Sequence, residues 1–332
     1  MKSPKPLPLL CAGGIGILLC ILASLALGSR TVGVGDVITA LFRTDVSSFD
    51  ALVVRERIPR TIFSLIAGAS LGVSGALMQA ITRNPIADPS ILGVNTGASL
   101  FVVGGIVLFR ISTAAEYIWF ALLGAAITAV FVYRIGSMGY GGATPIKLAL
   151  AGAATSAALS SLVSAVILPR TDALNAYRFW QVGSVGGATW QGILTVAPFL
   201  FAGLLVGFFI APALNALALG DDVATGLGVR TGVVRSVGAL AGVLLCGATT
   251  ALAGPIAFVG LMIPHSMRLI SGPDMKGIVP LSAAGGAILL TISDIIGRLI
   301  GSPSELEAGI VTAFFGAPIL ILIAMRAKVR SL

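Results

Sequence analysis

The chain has 332 residues, of which 57% are apolar and only 10% are charged, and its formal net charge is +8. Soluble domains carry about 25% charged residues, so this composition excludes an ordinary water-soluble globular protein. The basic residues stand singly between apolar runs, which argues against a nucleic-acid-binding face.

Apolar runs close to 20 residues long recur along the chain, which is the length that a helix needs to cross ~30 Å of hydrocarbon. Residues within these runs do not alternate as the strands of a membrane β-barrel would. The three cysteines, Cys11, Cys20 and Cys246, lie inside the runs without the paired spacing of a disulfide framework or a metal site. The sequence therefore predicts an all-α integral membrane protein.

The apolar pattern predicts about ten transmembrane helices. The first follows Lys2 and Lys5 and is too long for the apolar core of a signal peptide, so we predict a first membrane helix there. The eighth has half the usual length, bounded by Gly254-Pro255 and Pro264, and such a piece is tolerated only inside the bundle. The predicted spans cover residues 7–28, 61–80, 92–109, 114–133, 148–168, 193–213, 233–253, 256–263, 278–300 and 308–325.

Small residues and a repeated pattern describe how these helices are expected to pack. Residues 60–97 and 235–272 both run from an arginine through a Gly/Ala-rich span and a proline-interrupted segment into another span. This pattern predicts two five-helix halves of inverted topology, a frequent arrangement in transporters. Glycines four residues apart let helices approach closely in lipid. Such pairs are Gly68 with Gly72 and Gly238 with Gly242.

The distribution of basic residues predicts the orientation. Ten crossings place both termini on one side, and Lys2, Lys5 and Arg326, Lys328, Arg330 assign that side to the cytoplasm. Twelve basic residues then lie inside and nine outside, so the bias is small. The outer arginines therefore need an explanation of their own.

The sequence carries no coupling chemistry of its own. Acidic residues fall in loops or near span ends rather than in mid-span, where an ion-coupled carrier usually places them. No P-loop pattern occurs either. An energy-supplying partner is the economical interpretation, and a passive channel is the alternative. Residues 217–229 could form two short amphipathic helices that dock into a partner's groove, although a plain connecting loop is also compatible with the pattern.

A series of motifs then occurs in a fixed order. They are RIPR at 57–60, GALMQ at 75–79, RNPIADP at 83–89, LGV at 92–94, RFWQVGS at 178–184, LGDDVATGLG at 219–228, GPIAFVGL at 254–261 with PH at 264–265 and Arg268, DIIGR at 294–298 and GAP at 316–318. Their order resembles the permease subunits of ATP-binding-cassette importers for iron–siderophore complexes, haem and cobalamin. One departure is Glu307, which stands where the family usually has proline.

The resemblance implies a single permease domain over residues 1–332 with the fold of the cobalamin-importer permease. It implies a bacterial cytoplasmic-membrane protein that pairs with a second permease, either the same chain or a paralogue. Two cytoplasmic ATPase subunits would use ATP and magnesium, and an extracytoplasmic substrate-binding protein would dock outside. The chain itself would bind no cofactor or metal and would not be an enzyme.

The resemblance also implies roles for particular residues. Arg57, Arg60 and Arg298 would dock glutamates of the binding protein, and internal pairing with Glu56 and Asp294 is the alternative. The coupling segment, at about 214–230, would contact the ATPase. Its residues are Leu219, Gly220, Asp221, Asp222, Ala224, Leu227 and Gly228, and the cytoplasmic gate would contain Asn84, Pro85, Ile86, Pro145 and Ile146.

We therefore predict the permease of an ATP-driven ferric-siderophore importer, with a pathway lined by small and apolar side chains. Haem and cobalamin are the alternative substrates. An ion-coupled secondary carrier and a non-transporting structural protein are the alternatives from other classes. The single histidine, His265, is predicted to be structural or to face the ATPase rather than to bind metal.

Overall fold

Helices account for the regular structure of the part of the chain that the computed structural model describes, which is residues 6–42, 48–139 and 144–326. A 3-10 helix, Pro89–Leu92, precedes α4, and a π-helical turn, Gly105–Phe109, continues it. The α-helices are α1 (Pro6–Ala26), α2 (Val34–Phe42), α3 (Phe49–Thr82), α4 (Val94–Gly104), α5 (Ala114–Ser137), α6 (Pro145–Ile167), α7 (Thr171–Gln181), α8 (Trp190–Ala218), α9 (Asp221–Gly226), α10 (Thr231–Ala253), α11 (Val259–Ser271), α12 (Met275–Ile300) and α13 (Ala308–Arg326).

The predicted membrane helices are all present. Seven helices are long and apolar enough to cross a membrane, namely α1, α3, α5, α6, α8, α10 and α12. Two shorter apolar helices, Val94–Phe109 and Ala308–Ile321, match the third and tenth predicted spans. With α11, these make up the ten predicted segments, so the all-α membrane fold is confirmed.

Three features differ from the prediction. The helix α3 has 34 residues and is therefore about 51 Å long, well beyond the ~30 Å of hydrocarbon. The sequence predicts a loop for its charged first turns. It also predicts loops where α2 and α7 form, because short helices outside the apolar core lack a long apolar run.

The third difference concerns the eighth segment, which begins later and ends later than predicted. Pro264 was expected to end it but lies inside α11. Proline has no N–H, so it leaves the carbonyl oxygen of Gly260 without its helical partner. Gln79 Nε2 donates to that oxygen at 3.4 Å and to the Leu261 oxygen at 3.1 Å. The neighbouring helix α3 thereby makes the proline tolerable.

The centre of the bundle is α3, which packs against α12, α10, α11 and α8. The helices α3 and α12 approach closely, and the glycine spacing predicted such close packing without identifying the partner helix. A Cβ atom on Gly68 would overlap the carbonyl oxygen of Gly286, and one on Gly72 would overlap that of Ser282. The two backbones are therefore in direct contact, which no larger side chain permits.

The long helices α3 and α10 are each followed by a break and then a shorter helix. Arg83 ends α3 with φ 50°, and Gly254 ends α10 with φ 73°. This agrees with the parallel pattern seen in residues 60–97 and 235–272, and an inverted repeat of five helices stays a prediction.

Candidate functional site

An ionic network joins α3, α12 and the loop before α13 at one end of the bundle. Arg60 donates to Oδ1 of Asp294 through Nε at 2.9 Å and through Nη2 at 2.7 Å. Its Nη1 lies 2.6 Å from Oε2 of Glu305. Arg298 lies one helical turn after Asp294 and pairs with its Oδ2 at 3.1 Å. Asp294 therefore bridges two arginines, and Glu305 holds the remaining nitrogen of Arg60.

Arg57 and Arg298 donate hydrogen bonds to the end of α1. Arg57 Nη1 donates to the carbonyl oxygen of Leu25 at 2.9 Å. Arg298 Nη1 donates to the carbonyl oxygens of Ser24 and Leu27, both at 3.0 Å. The last carbonyls of a helix lack helical donors and carry partial negative charge, so guanidinium groups stabilise this end of α1.

The placement of these arginines corrects one expectation. All three were expected at the outer surface, but only 7% of Arg57 and 2% of Arg298 are exposed. Among the described residues, the paired carboxylates come from α12 and the loop before α13 rather than from the exposed Glu56. Arg60 alone reaches the surface, through its half-exposed partner Glu305. Docking through these residues stays a prediction.

At the opposite end of the bundle, α9 follows α8 after a sharp turn. Gly220 has φ 114°, a conformation that favours glycine. Asp221 and Asp222 occupy the first turn of α9, where carboxylates stabilise a helix N-terminus. Gly228, with φ 82°, turns the chain again before α10.

This helix lies within the predicted coupling segment. One short helix forms there instead of two, because residues 214–218 continue α8. Ala224 is fully buried against the bundle, whereas Leu219, Val223 and Leu227 are 64%, 50% and 63% exposed. Val223 lies in α9, and Leu219 and Leu227 flank the helix before and after it; we call these three exposed apolar side chains the α9 row. Its contact with an ATPase stays a prediction.

A single carboxylate ties α9 to two longer helices. Asp221 Oδ1 lies 2.5 Å from Nη2 of Arg83 at the end of α3, and 2.9 Å from Nη2 of Arg235 in α10. Arg83 Nε also donates to the carbonyl oxygen of Leu217 at 3.0 Å. Arg83 directly precedes Asn84, so α9 contacts the residue next to the segment predicted to contain the gate.

The predicted gate residues lie on two segments at this end. The N–H of Ile86 donates to Oδ1 of Asn84 at 3.1 Å, which closes a tight turn around Pro85. Pro145 is the first residue of α6, a position that suits proline. Ile86 and Ile146 are 49% and 69% exposed. The helix α6 packs against the 3-10 helix that follows the turn, and a gating role stays a prediction.

The sequence places Asp88 in an inner loop, and it lies in the loop between α3 and the 3-10 helix. Sequence reasoning missed that this carboxylate is partly buried against the bundle. Asp88 Oδ1 accepts a hydrogen bond from Ser90 N at 2.9 Å. Its Oδ2 lies 3.1 Å from a Cβ placed on Gly260, beside the carbonyl oxygen of Leu71. Burial raises the pKa of the Asp88 carboxyl, against the opposing effect of the hydrogen bonds from Ser90. The pattern of charges gave no sign of this burial.

The helix α6 differs from its neighbours in the side chains it exposes. The helix α8 exposes Leu194, Phe201 and Phe209, large apolar residues that suit contact with lipid. Beside Leu150 and Leu162, which are 67% and 52% exposed, the exposed surface of α6 contains mostly small residues, which suit a pathway or a close subunit contact. They are Ala153, Ala154, Ala157, Ala158, Ser160, Ser161 and Ser164.

The whole helical bundle corresponds to one known family. A model described as the FecCD transport family matches residues 16–326. The chain belongs to the FecCD transport family. Members of the family are permease subunits of ATP-binding-cassette importers, so the chain is a transport permease and not an enzyme. The resemblance seen in the ordered motifs is thereby confirmed.

Individual FecCD relatives match over most of their length. The chain is 42% identical over 314 residues to FepD, the ferric enterobactin transport system permease protein of Escherichia coli, with 93% of each chain covered. It is 44% identical over 270 residues to YfiZ of Bacillus subtilis, named "Probable siderophore transport system permease protein", with 81% of each chain covered. A solved metal-chelate type ABC transporter in an inward-facing conformation superposes with a TM-score of 0.84 at 24% identity, over 97% of this chain and 100% of that one. This last likeness supports the fold.

Proposed function

We propose that this protein is the membrane-spanning permease of an ATP-binding-cassette importer that carries ferric siderophores across the bacterial cytoplasmic membrane. The similarity to FepD over 93% of both chains carries the proposal. Relatives named for Fe(3+)-citrate and iron(3+)-hydroxamate import, at 40% and 38% identity, support the same substrate class. A siderophore already surrounds its iron, so the small side chains on α6 suit a pathway that needs no metal ligand.

The proposed assembly has one permease domain, residues 1–332, paired with the same chain or a paralogue. Two ATPase subunits hydrolyse ATP with magnesium at the end that carries α9. The α9 row is the proposed contact, because an amphipathic helix binds by placing its apolar face in a groove. The Asp221–Arg83 pair would then pass the motion of α9 to Asn84 and Ile86.

We propose that Arg60 is the residue that docks the binding protein at the other end. A carboxylate of the partner would displace the half-exposed Glu305 from Nη1 of Arg60. Arginine suits such an exchange, because its fork of donors can keep one carboxylate while it binds another. Arg57 and Arg298 would support the site by holding the end of α1.

The proposed topology places both termini in the cytoplasm. Ser48→Cys, at the start of α3, is expected to react with a membrane-impermeant thiol reagent added from outside. Ser331→Cys lies outside the described residues and is expected to react only after the membrane is opened. The reverse labelling pattern would contradict this orientation and the assignment of α9 to the cytoplasm.

Substrate uptake separates the proposed function from its alternatives. Cells that lack other importers of this class would express the permease with its neighbouring ATPase and binding protein, and receive labelled ferric siderophore, haem or cobalamin. Uptake of the ferric siderophore alone is expected. Preferred uptake of haem or cobalamin would show that the proposed substrate is wrong and that this other compound is imported. Uptake without the ATPase would favour an ion-coupled carrier.

A further inference from the structure

A groove runs along the outside of the bundle between α5 and α10. Its volume is about 420 Å³. The lining is apolar over most of its length because the two helices face each other with small residues. Ala125, Ala129, Ala239 and Gly247 are buried and form its floor.

The groove opens on a surface that suits lipid. Neighbouring residues on α5 expose large apolar side chains, with Leu123, Ile127 and Phe131 at 53%, 48% and 52%. The rim residue Leu240 of α10 is 66% exposed. Large exposed apolar side chains suit contact with the hydrocarbon of a bilayer, so a groove that lies between them suits an acyl chain.

One end of the groove is polar and positively charged. Arg134 lines it, and its guanidinium has no hydrogen-bond or ion-pair partner among the described residues. Beside it, the hydroxyl groups of Tyr133 and Ser236 are 3.0 Å apart, and Ser137 completes this end. The interhelix loop that follows α5 contains no acidic residue up to Lys147. An exposed cation here therefore lacks an internal counter-charge.

The dimensions match one leaflet of a bilayer. Leu122 and Arg134 both line the groove and stand 12 residues apart (134 − 122), which is about 18 Å along the helix. The hydrocarbon depth of one leaflet is about 15 Å, half of ~30 Å. A lipid chain that fills the apolar part thus brings its phosphate to the level of Arg134.

We propose that the groove between α5 and α10 binds an anionic phospholipid, with an acyl chain on the apolar floor and the phosphate at Arg134. Basic positions between membrane helices bind anionic headgroups, and each arginine near the membrane surface contributes about 1 kcal/mol. The hydrogen-bonded hydroxyl pair of Tyr133 and Ser236 keeps one proton that can be donated to the same headgroup, whereas the Ser137 hydroxyl donates to the carbonyl oxygen of Arg134. The site is distinct from the α9 row and from the Arg60 network, so it does not depend on the proposed substrate.

The test measures lipid binding to the delipidated full-length permease by native mass spectrometry. The titrants are phosphatidylglycerol and phosphatidylcholine with identical chains. The wild-type protein is expected to prefer phosphatidylglycerol. Arg134→Gln is expected to weaken that lipid about fivefold, the equivalent of about 1 kcal/mol, and to leave phosphatidylcholine unchanged, while Arg134→Lys keeps the preference.

A second variant tests the acyl chain separately. Ala126 lines the groove, and Ala126→Phe is expected to weaken both lipids because it occupies the apolar space. The matched controls are Ile127→Phe, one residue away and outside the groove, and Arg110→Gln at the other end of the bundle; both are expected to bind as wild type. Equal binding of the two lipids by wild type, or equal losses in Arg134→Gln and Arg110→Gln, would overturn the proposal. Cross-linking of Ala126→Cys to another polypeptide would do the same by showing a protein occupant.

Discussion

Replacing Arg298 by alanine should separate a structural role from a docking role for the outer arginines. The side chain is 2% exposed, pairs with Asp294, and donates to two carbonyl oxygens at the end of α1. Its removal would leave those oxygens without donors and leave Asp294 with Arg60 as its remaining partner.

The size of the effect follows from burial. Removing one partner of a buried ion pair costs about 3–5 kcal/mol. Each buried carbonyl left without a donor costs about 1–3 kcal/mol, and these losses overlap. We therefore expect Arg298→Ala to lower the free energy of unfolding by about 3–5 kcal/mol. Glu305→Gln changes a half-exposed pair, and such pairs contribute about 0–1 kcal/mol.

Thermal unfolding of the purified permease in detergent measures this difference. Arg298→Ala is expected to melt well below wild type, and Glu305→Gln close to it. The control is Arg178→Ala, an exposed arginine on α7 at the same end of the bundle, which is expected to melt as wild type. An Arg298→Ala protein that melts like wild type but loses stimulation by the binding protein would refute the reasoning and support direct docking through Arg298.

Four further changes test other parts of the structure. Asp221→Asn is expected to keep the fold, because its two arginine pairs are partly exposed and contribute about 0–1 kcal/mol each. The ratio of substrate imported to ATP hydrolysed should fall, and an unchanged ratio would contradict the link through this residue. Leu227→Asp places a charge in the α9 row and is expected to lower co-purification of the ATPase; full recovery of the complex would argue against that contact. Gly68→Leu is expected to destabilise by about 1–3 kcal/mol or more through overlap with α12, whereas Gly14→Leu, which meets open space, should not; equal yields of folded protein would contradict the packing. Asp88 has a raised pKa in the folded state, so the folded protein binds more protons and stability should fall as pH rises above ~4. Asp88→Asn should reduce that fall in melting temperature as the pH rises from about 4, and an unchanged dependence would show that this carboxyl does not cause it.

Much of the fold could be predicted from the sequence because membrane helices leave a direct signal. A run of about 20 apolar residues identifies a span without knowledge of its neighbours. It was also predictable that Gly68 lies in a close contact between helices, since pairs of glycines four residues apart are typical of such contacts. The partner helix was not, because the contacting residues lie more than 200 positions apart.

The candidate site was less accessible to sequence reasoning. The hydrogen bonds from Arg298 to α1 join residues 274 and 271 positions apart, and nothing in the local sequence reveals them. Arginines outside an apolar core look alike whether they face water or cap another helix. The same applies to Asp221, whose two partners lie on α3 and α10, and to Asp88, whose burial depends on how its loop packs against the bundle.

The central claim is that ATP hydrolysis by a partner drives this permease, and transport in proteoliposomes tests it most directly. The vesicles would contain the permease and its ATPase, with the loaded binding protein outside and labelled ferric siderophore as substrate. We predict accumulation that requires ATP on the side of α9 and persists when ionophores collapse the proton and sodium gradients. Accumulation that is driven by an imposed ion gradient without ATP would contradict the account.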